Sequence, residues 1–347
     1  GMITRLSNLA LQLYSWYIKN GHAKNEKDEI GIKQFFQKHL PLNAYTQKGF
    51  YERLYLYQSY GWYAFIRQDF LMSYRYTQKW VDLFKEQPQM INVESGHYIK
   101  GMHNLLNAHF VLRNYQRFDI TLKQFEEFAK TDVANQNDNN RIQTFVYVSS
   151  GRINQHLMHG TFGKGLAIIP EIEKKLDEYS IFLDRHRILV FNYKIATLYF
   201  GNAEYETSID YLRRIINGDI DLRIDLQCYA RLLHLLAHYE LGNFDLMEHL
   251  IKSVYRFMAK MENLTIIEEE MFRFLKTAFH LPLSKMKPEF VKFLNKIKQF
   301  QNSRFETRSF AYLDIIAWIE SKVNDKPMSN IIHQRFLKSK KRNYTAD

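Results

Sequence analysis

The run Gly160-Thr161-Phe162-Gly163-Lys164-Gly165 has the glycines and the lysine of a phosphate cradle. That chemistry needs backbone N–H groups aimed at the anion after a buried strand and, in the Walker form, a Lys followed by Ser or Thr. Here Gly165 follows Lys164 and no strand-like run precedes, so the glycines are read as turn and packing residues, with Gly165 admitting a close helix. His234 and His238 are one helical turn apart, a spacing that holds a metal when an acid or a third histidine completes the set. No His-Glu-x-x-His motif accompanies them, and His238 shares its place in a recurring pattern with His109 and His156, the place of a packing residue. Glu268-Glu269-Glu270 is a run of acids, not two carboxylates across a cleft, and is expected to mark an exposed helix face. Cys228 and His234 fall on different sides of one helix, which does not make a thiolate–imidazole pair. Asp132 and Asp138 lack the EF-hand order and its terminal Glu, so the Asn-rich stretch from Asp132 to Asn140 is expected to be a solvated loop. With no Ser-His-Asp order and no Gly-x-Ser-x-Gly motif, the sequence predicts no catalytic residue, metal or cofactor, and an enzyme is the weakest reading.

What does recur is an aromatic in a short polar or Gly-containing turn: Phe70, Tyr115, Phe162, Tyr205 and Phe244. Three residues later stand Ser73, Phe118, Gly165, Ser208 and Met247. Seven later come Thr77, Leu122, Ile169, Leu212 and Ile251, and ten later Trp80, Phe125, Ile172, Ile215 and Val254. A 3-4-3 spacing is one face of an α-helix. Nine before the aromatic lie Gly61, Leu106, Ile153, Ala196 and Leu235, and six before lie Ala64, His109, His156, Tyr199 and His238, the face of a partner helix. Each unit is therefore expected to be a helical pair, with all five aromatics buried between helices and the second helix of the third unit kinked or late-starting at Pro170.

These patterns resemble the tetratricopeptide repeat family: a small residue mid-helix, a Gly-Asp/Asn-aromatic turn, and a small residue three positions on. Leu241-Gly242-Asn243-Phe244-Asp245 and the run Ala196 to Ile215 carry the likeness best, and it covers about residues 43–258. Unit spacings of 39 to 47 residues, and bulky Phe118 and Met247 in a slot usually held by Ala, depart from the family. The resemblance implies an all-α fold, a right-handed α-α superhelix of antiparallel pairs. Residues 2–42 are then N-terminal capping helices, 43–258 five pairs, and 259–347 a C-terminal helical extension with a basic tail. In that extension helices are expected near Ile266 to Phe279, Pro288 to Phe300, Arg304 to Val323 and Met328 to Lys338.

Composition agrees with a helical array. Hydrophobic residues make up 46% and aromatics 15% of 347 residues, enough for a continuous core, while 14 Gly and 6 Pro are too few for a turn-rich β architecture. Gly1 before Met2 is read as a cleavage scar and set aside. Ile3 to Ile18 is interrupted by polar residues, so neither a signal segment nor a membrane span is expected, and no membrane partner. The single cysteine, Cys228, fits a reducing compartment, and a cytoplasmic location is the expectation. The formal charge of +11 is spread along the chain among acids, except in the tail from Arg335 to Arg342.

In the resembled family the first helices line a groove, and residues twelve and eight before the turn aromatic point into it. By that register Gln58, His103, Ser150, Tyr193 and Leu232 occupy one row, and Trp62, Asn107, Asn154, Thr197 and Leu236 the other. Gln58, Trp62, His103, Asn107, Asn154 and Tyr193 are the groove candidates, with Lys100 and Lys194 beside them for an acidic ligand. Carboxylate-clamp members carry a Lys where His103 stands, which counts against a clamp for a C-terminal carboxylate. The expected function is a non-catalytic scaffold or adaptor holding a peptide or protein partner. RNA or DNA binding through Lys, Arg and aromatics, or a sensory domain closing on a small peptide, are the alternatives.

Overall fold

The structure, a computed structural model, describes residues 1–301, 310 and 312–345, with the side chains of residues 283 and 342–345 outside the description. Among the described residues the regular elements are all helical and there is no strand. No helix among them is long and apolar enough to cross a membrane. The first helices are α1 (Met2–Asn20), α2 (Glu26–His39), α3 (Phe50–Ile66), α4 (Phe70–Glu86), α5 (Met90–Val93), α6 (Ser95–Leu112) and α7 (Tyr115–Phe128). There follow α8 (Asp132–Asn135), α9 (Asp138–His159), α10 (Phe162–Ala167), α11 (Ile169–Glu178), α12 (Arg185–Gly201) and α13 (Tyr205–Ile216). The last are α14 (Ile224–Glu240), α15 (Phe244–Lys260), α16 (Ile266–Ala278), α17 (Leu283–Lys298), α18 (Ile315–Asn324) and α19 (Met328–Thr345).

The chain divides into two compact units, one of residues 1–155 with 171–183, the other of 156–170 with 184–347. Within the first, α1 packs on α3, α3 on α4, α4 on α6 and α6 on α7. Gly151 of α9 lies so close to α7 and α6 that a Cβ there would meet Leu122 at 2.9 Å and Leu106 at 3.2 Å. Within the second, α12 packs on α13, α13 on α14, α14 on α15, and α17, α18 and α19 follow one on the next.

All five turn aromatics are the first residue of a helix: α4, α7, α10, α13 and α15. Two residues before each, the backbone is left-handed, at Gln68 (φ 58), Arg113 (φ 55), Gly160 (φ 71), Ala203 (φ 61) and Gly242 (φ 74). The N–H one residue before each aromatic donates to the carbonyl six before it: Asp69 to Ala64, Asn114 to His109, Thr161 to His156, Glu204 to Tyr199 and Asn243 to His238, at 2.9 to 3.1 Å. This is the Schellman closure, which satisfies carbonyls left over at a helix end while reversing the chain. Three of the five left-handed residues are not glycine, so the bond and the packing hold them there. The same closure recurs at Asp325 (φ 51), where Lys326 donates to Ser321.

The 3-4-3 face is buried at every position in all five units, from Ser73, Thr77 and Trp80 to Met247, Ile251 and Val254. Helix starts follow local chemistry. The carboxylates of Asp69, Asp184 and Asp314 accept from backbone N–H groups three residues on, and Thr265 with Glu268 forms a capping box at α16. Pro170 sits at the start of α11, and the second helix of the third unit is accordingly split into α10 and α11.

Several expectations need correcting. Phe162 is 1% exposed, but Phe70, Tyr115 and Tyr205 are half-buried and Phe244 is 41% exposed. Gly201, at the end of α12, seats the Phe162 ring so closely that a Cβ there would meet it at 1.9 Å, and Glu240, at the end of α14, accepts from the Tyr205 hydroxyl. The next first helix, α16, has 13 residues where α12 and α14 have 17, and Phe244 is left open beside Tyr239. The Asp132 to Asn140 stretch is not a loop. Thr131 caps the short α8, and Asn140, 3% exposed, donates to Ser95 Oγ and to the Val133 carbonyl. The acidic run is not an exposed face either: Glu268 is 0% exposed and Glu270 is buried. Glu268 accepts from the Thr265 backbone and the Tyr229 hydroxyl, and Glu270 pairs with Arg273 and with Lys296. Helix α17 begins at Leu283, five residues before Pro288, because a proline missing one N–H near a helix start removes a single ladder bond. Of the helix expected from Arg304 to Val323, the described part begins only at Ile315, behind the Asp314 cap; its start at Arg304 and the side chain of Arg342 lie outside the described residues.

Candidate functional site

In the first unit, α1, α3, α6 and α9 meet through aromatic and polar side chains. Trp62 of α3 lies 5.1 Å, ring centre to ring centre, from both Tyr14 and Tyr17 of α1. Gln58 Nε2 is 2.9 Å from His97 Nδ1 on α6, and Tyr55 stands edge-on to the same imidazole at 5.5 Å. The Tyr51 hydroxyl donates to Glu94 at 2.8 Å, and Glu94 approaches His97 Nε2 at 4.0 Å. Burial holds the His97 pKa below the usual histidine range despite the opposing pull of Glu94. His103 stacks flat on Tyr147 of α9 at 3.9 Å, and Asn107 Nδ2 is 3.3 Å from His103 Nε2. Lys100 is exposed, and Trp62, His103 and Asn107 are half-buried.

The row therefore contains some of the groove candidates with surface to offer and others without. Gln58 is 7% exposed and bonded to His97, and Asn154 is 1% exposed. Gln58 lies where α3 meets α6. Neither amide presents surface in this conformation.

In the second unit Tyr193 and Lys194 of α12 border a buried polar network absent from the sequence reading. Arg223, left-handed at φ 44 and preceding α14, donates from Nε to Asp225 Oδ1 and from Nη2 to Asp225 Oδ2, each at 2.9 Å. Their side chains are 6% and 1% exposed. Arg223 Nη1 lies 3.2 Å from His186 Nε2, which accepts as a neutral imidazole. Burial, then the charges of Arg223 and Arg187, drive the His186 pKa down to about 2. The Tyr312 hydroxyl donates to Asp225 Oδ2 at 2.6 Å, its ring stacks on Tyr229 at 4.2 Å, and its carbonyl accepts from the Tyr193 hydroxyl at 2.9 Å. Tyr193 is thus only 6% exposed, covered by the Tyr312 segment that its hydroxyl meets. Lys194 is half-buried; burial and then the charges of Arg223 and Arg187 bring its ammonium down to about 7. An Arg-x-Asp pair is too common a spacing to have signalled this network.

The recurring histidines have a role beyond packing. His109 Nδ1 is 3.4 Å from Asn114 Nδ2, His156 Nδ1 is 2.7 Å from Thr161 Oγ1, and His238 Nδ1 is 3.1 Å from Asn243 Nδ2. Each partner is the residue whose N–H closes the turn, so one side chain and one backbone bond lock the same pair. The phosphate-cradle look-alike is one of these turns: Gly160 supplies its left-handed residue, and a Cβ at Gly165 would meet His156 Cβ at 2.9 Å.

No protein-family model matches the chain, and no curated protein matches it.

Proposed function

We propose that the protein is a non-catalytic helical-repeat scaffold of tetratricopeptide-like, superhelical kind that holds a peptide or protein segment along its first helices. The observation that supports this reading is the surface left on first helices of the first unit: Trp62, packed on Tyr14 and Tyr17, is half-buried, as are His103 and Asn107, which lie side by side, and Lys100, three residues before His103, is exposed. Rigid rings give contact area at small entropic loss, and an amide beside them can bond a ligand backbone. Cys228, fully buried and reduced, is consistent with a cytoplasmic setting.

The experiment is co-purification of partners with Trp62→Ala, Asn107→Ala and the double variant. Each single change is expected to weaken capture by about 1 to 3 kcal/mol with melting nearly unchanged for Asn107→Ala. Equal recovery of the same partners by the double variant overturns the reading. The formal charge of +11 supports nucleic acid as a second ligand class. Capture of RNA that survives physiological salt and is lost on Lys100→Ala would replace the first reading with that one.

A further inference from the structure

Tyr312 is not in a helix, yet side chains from two helices of the second unit converge on it. Tyr193 of α12 donates to its carbonyl, Asp225 of α14 accepts from its phenol, and Tyr229 of α14 takes its ring face to face, tilted by 10°. One main-chain bond, one stacked ring and one specific polar tip are contacts with which a protein surface can grip a peptide side chain and its backbone. The neighbour Leu313 is 1% exposed and Asp314 caps α18, which anchors the segment on its C-terminal side.

The acceptor of this site is held by a group other than its occupant. The two bonds from Arg223 fix the Asp225 carboxylate and offset its charge, so an acceptor aimed at a phenol persists when Tyr312 leaves. Arg223 holds this position in a left-handed conformation unfavourable for a non-glycine residue, which the surrounding bonds must overcome.

From this geometry we propose that Tyr193, Asp225 and Tyr229 form a subsite for an unmodified tyrosyl residue of a peptide, and that Tyr312 fills it in cis. The proposal deepens the peptide-binding reading above and rests on it. The neutral phenol is the fitting group because it donates to a carboxylate. A phosphorylated tyrosine would set its anion against Asp225 while the Nε and Nη2 donors of Arg223 are already taken up by that carboxylate. A partner segment presenting tyrosine must displace Tyr312, so the chain restrains its own site.

The test uses a capped fluorescent peptide with the sequence of residues 309–314, titrated into the full-length wild type, Tyr312→Phe and Tyr312→Ala. Affinity should rise in that order. Tyr312→Phe should gain roughly fivefold from one lost competing hydrogen bond, and Tyr312→Ala at least about tenfold. In the peptide, Tyr→Phe should weaken binding to Tyr312→Ala about fivefold, and phosphotyrosine should abolish it. Equal binding by all three proteins, or none by a cooperatively melting Tyr312→Ala, overturns the proposal. If Tyr312→Ala does not melt cooperatively, the comparison of Tyr312→Phe with wild type decides, and no gain there overturns it. The probe needs no natural partner, so its failure leaves the capture experiment on Trp62 and Asn107 standing, and the reverse also holds.

Discussion

Asn243 holds His238 twice: its backbone N–H donates to the His238 carbonyl at 3.1 Å, and its side-chain amide reaches the His238 Nδ1 at 3.1 Å. An amide N–H can donate only to a ring nitrogen without a proton, so the lock requires neutral histidine. The same holds for His109 with Asn114.

Acid should therefore loosen the fold before the carboxylates titrate. Burial lowers the pKa of His109 to about 4 and that of His156 and His238 below the usual value, with the charges of Arg117, of His159 and Lys164, and of Arg213 respectively adding to it. An unfolded histidine titrates near 6.5. Between the two values the unfolded chain binds the proton and the folded one does not. The contribution is thus complete above about pH 7.5, falls by about 1.4 kcal/mol per pH unit and group below about 6.5, and levels off near the folded value. Urea midpoints from pH 8 to pH 4 should show this slope, and His109→Gln should make it shallower by one group's share; a flat wild-type profile refutes the assignment.

The turn aromatics should separate by cover. Phe162→Ala removes a ring that is 1% exposed and should lower stability by about 3 to 5 kcal/mol. Phe244→Ala, at a position 41% exposed, should lower it by under about 1 kcal/mol. Thermal melting of both variants measures the difference, and equal losses would contradict the packing described.

Gly160 and Gly242 share a positive φ but not a neighbourhood. A Cβ at Gly160 would lie 2.2 Å from the His333 backbone nitrogen and 2.6 Å from the Ser329 carbonyl oxygen, whereas at Gly242 nothing lies within 4 Å. Gly242→Ala should cost about 1 to 2 kcal/mol, the left-handed penalty alone. Gly160→Ala should cost clearly more and should undock α19, where His333 Nδ1 now meets the His159 carbonyl at 2.7 Å. Hydrogen exchange of α19 amides reads this directly.

Breaking the Arg223–Asp225 pair on one side should be worse than removing both charges. Asp225→Ala strands a buried guanidinium and should destabilise by about 3 to 5 kcal/mol, while Arg223→Leu combined with Asp225→Leu should lose less. Urea denaturation of the single and double variants compares them.

The helical face and the turn were legible because each is local. Apolar residues at 3-4-3 spacing bury as a stripe wherever the helix sits, and Phe162 or Tyr205 marks a chain reversal from its own neighbours. Glu268 could not be read this way, since its burial depends on Tyr229, 39 residues earlier in the chain. Nor could the Arg223 network, whose partners His186, Asp225 and Tyr312 come from three separate segments. The groove candidates divide for the same reason. Asn107 and Asn154 hold equivalent places in the pattern, yet Asn107 is half-buried and Asn154 is 1% exposed, because burial is set by segments remote in the sequence.

The identical closure at five turns also says where this architecture can change length. Adding one residue between a left-handed position and its aromatic would rotate the following helix by about 100° and turn its buried stripe toward water. The turn aromatics are nonetheless spaced by 45, 47, 43 and 39 residues, so the variation sits in the helices and in the connections from one pair to the next, such as the stretch holding α8 or the bend before Arg223. Those connections are the natural places for an inserted tag, loop or domain; the turns are not.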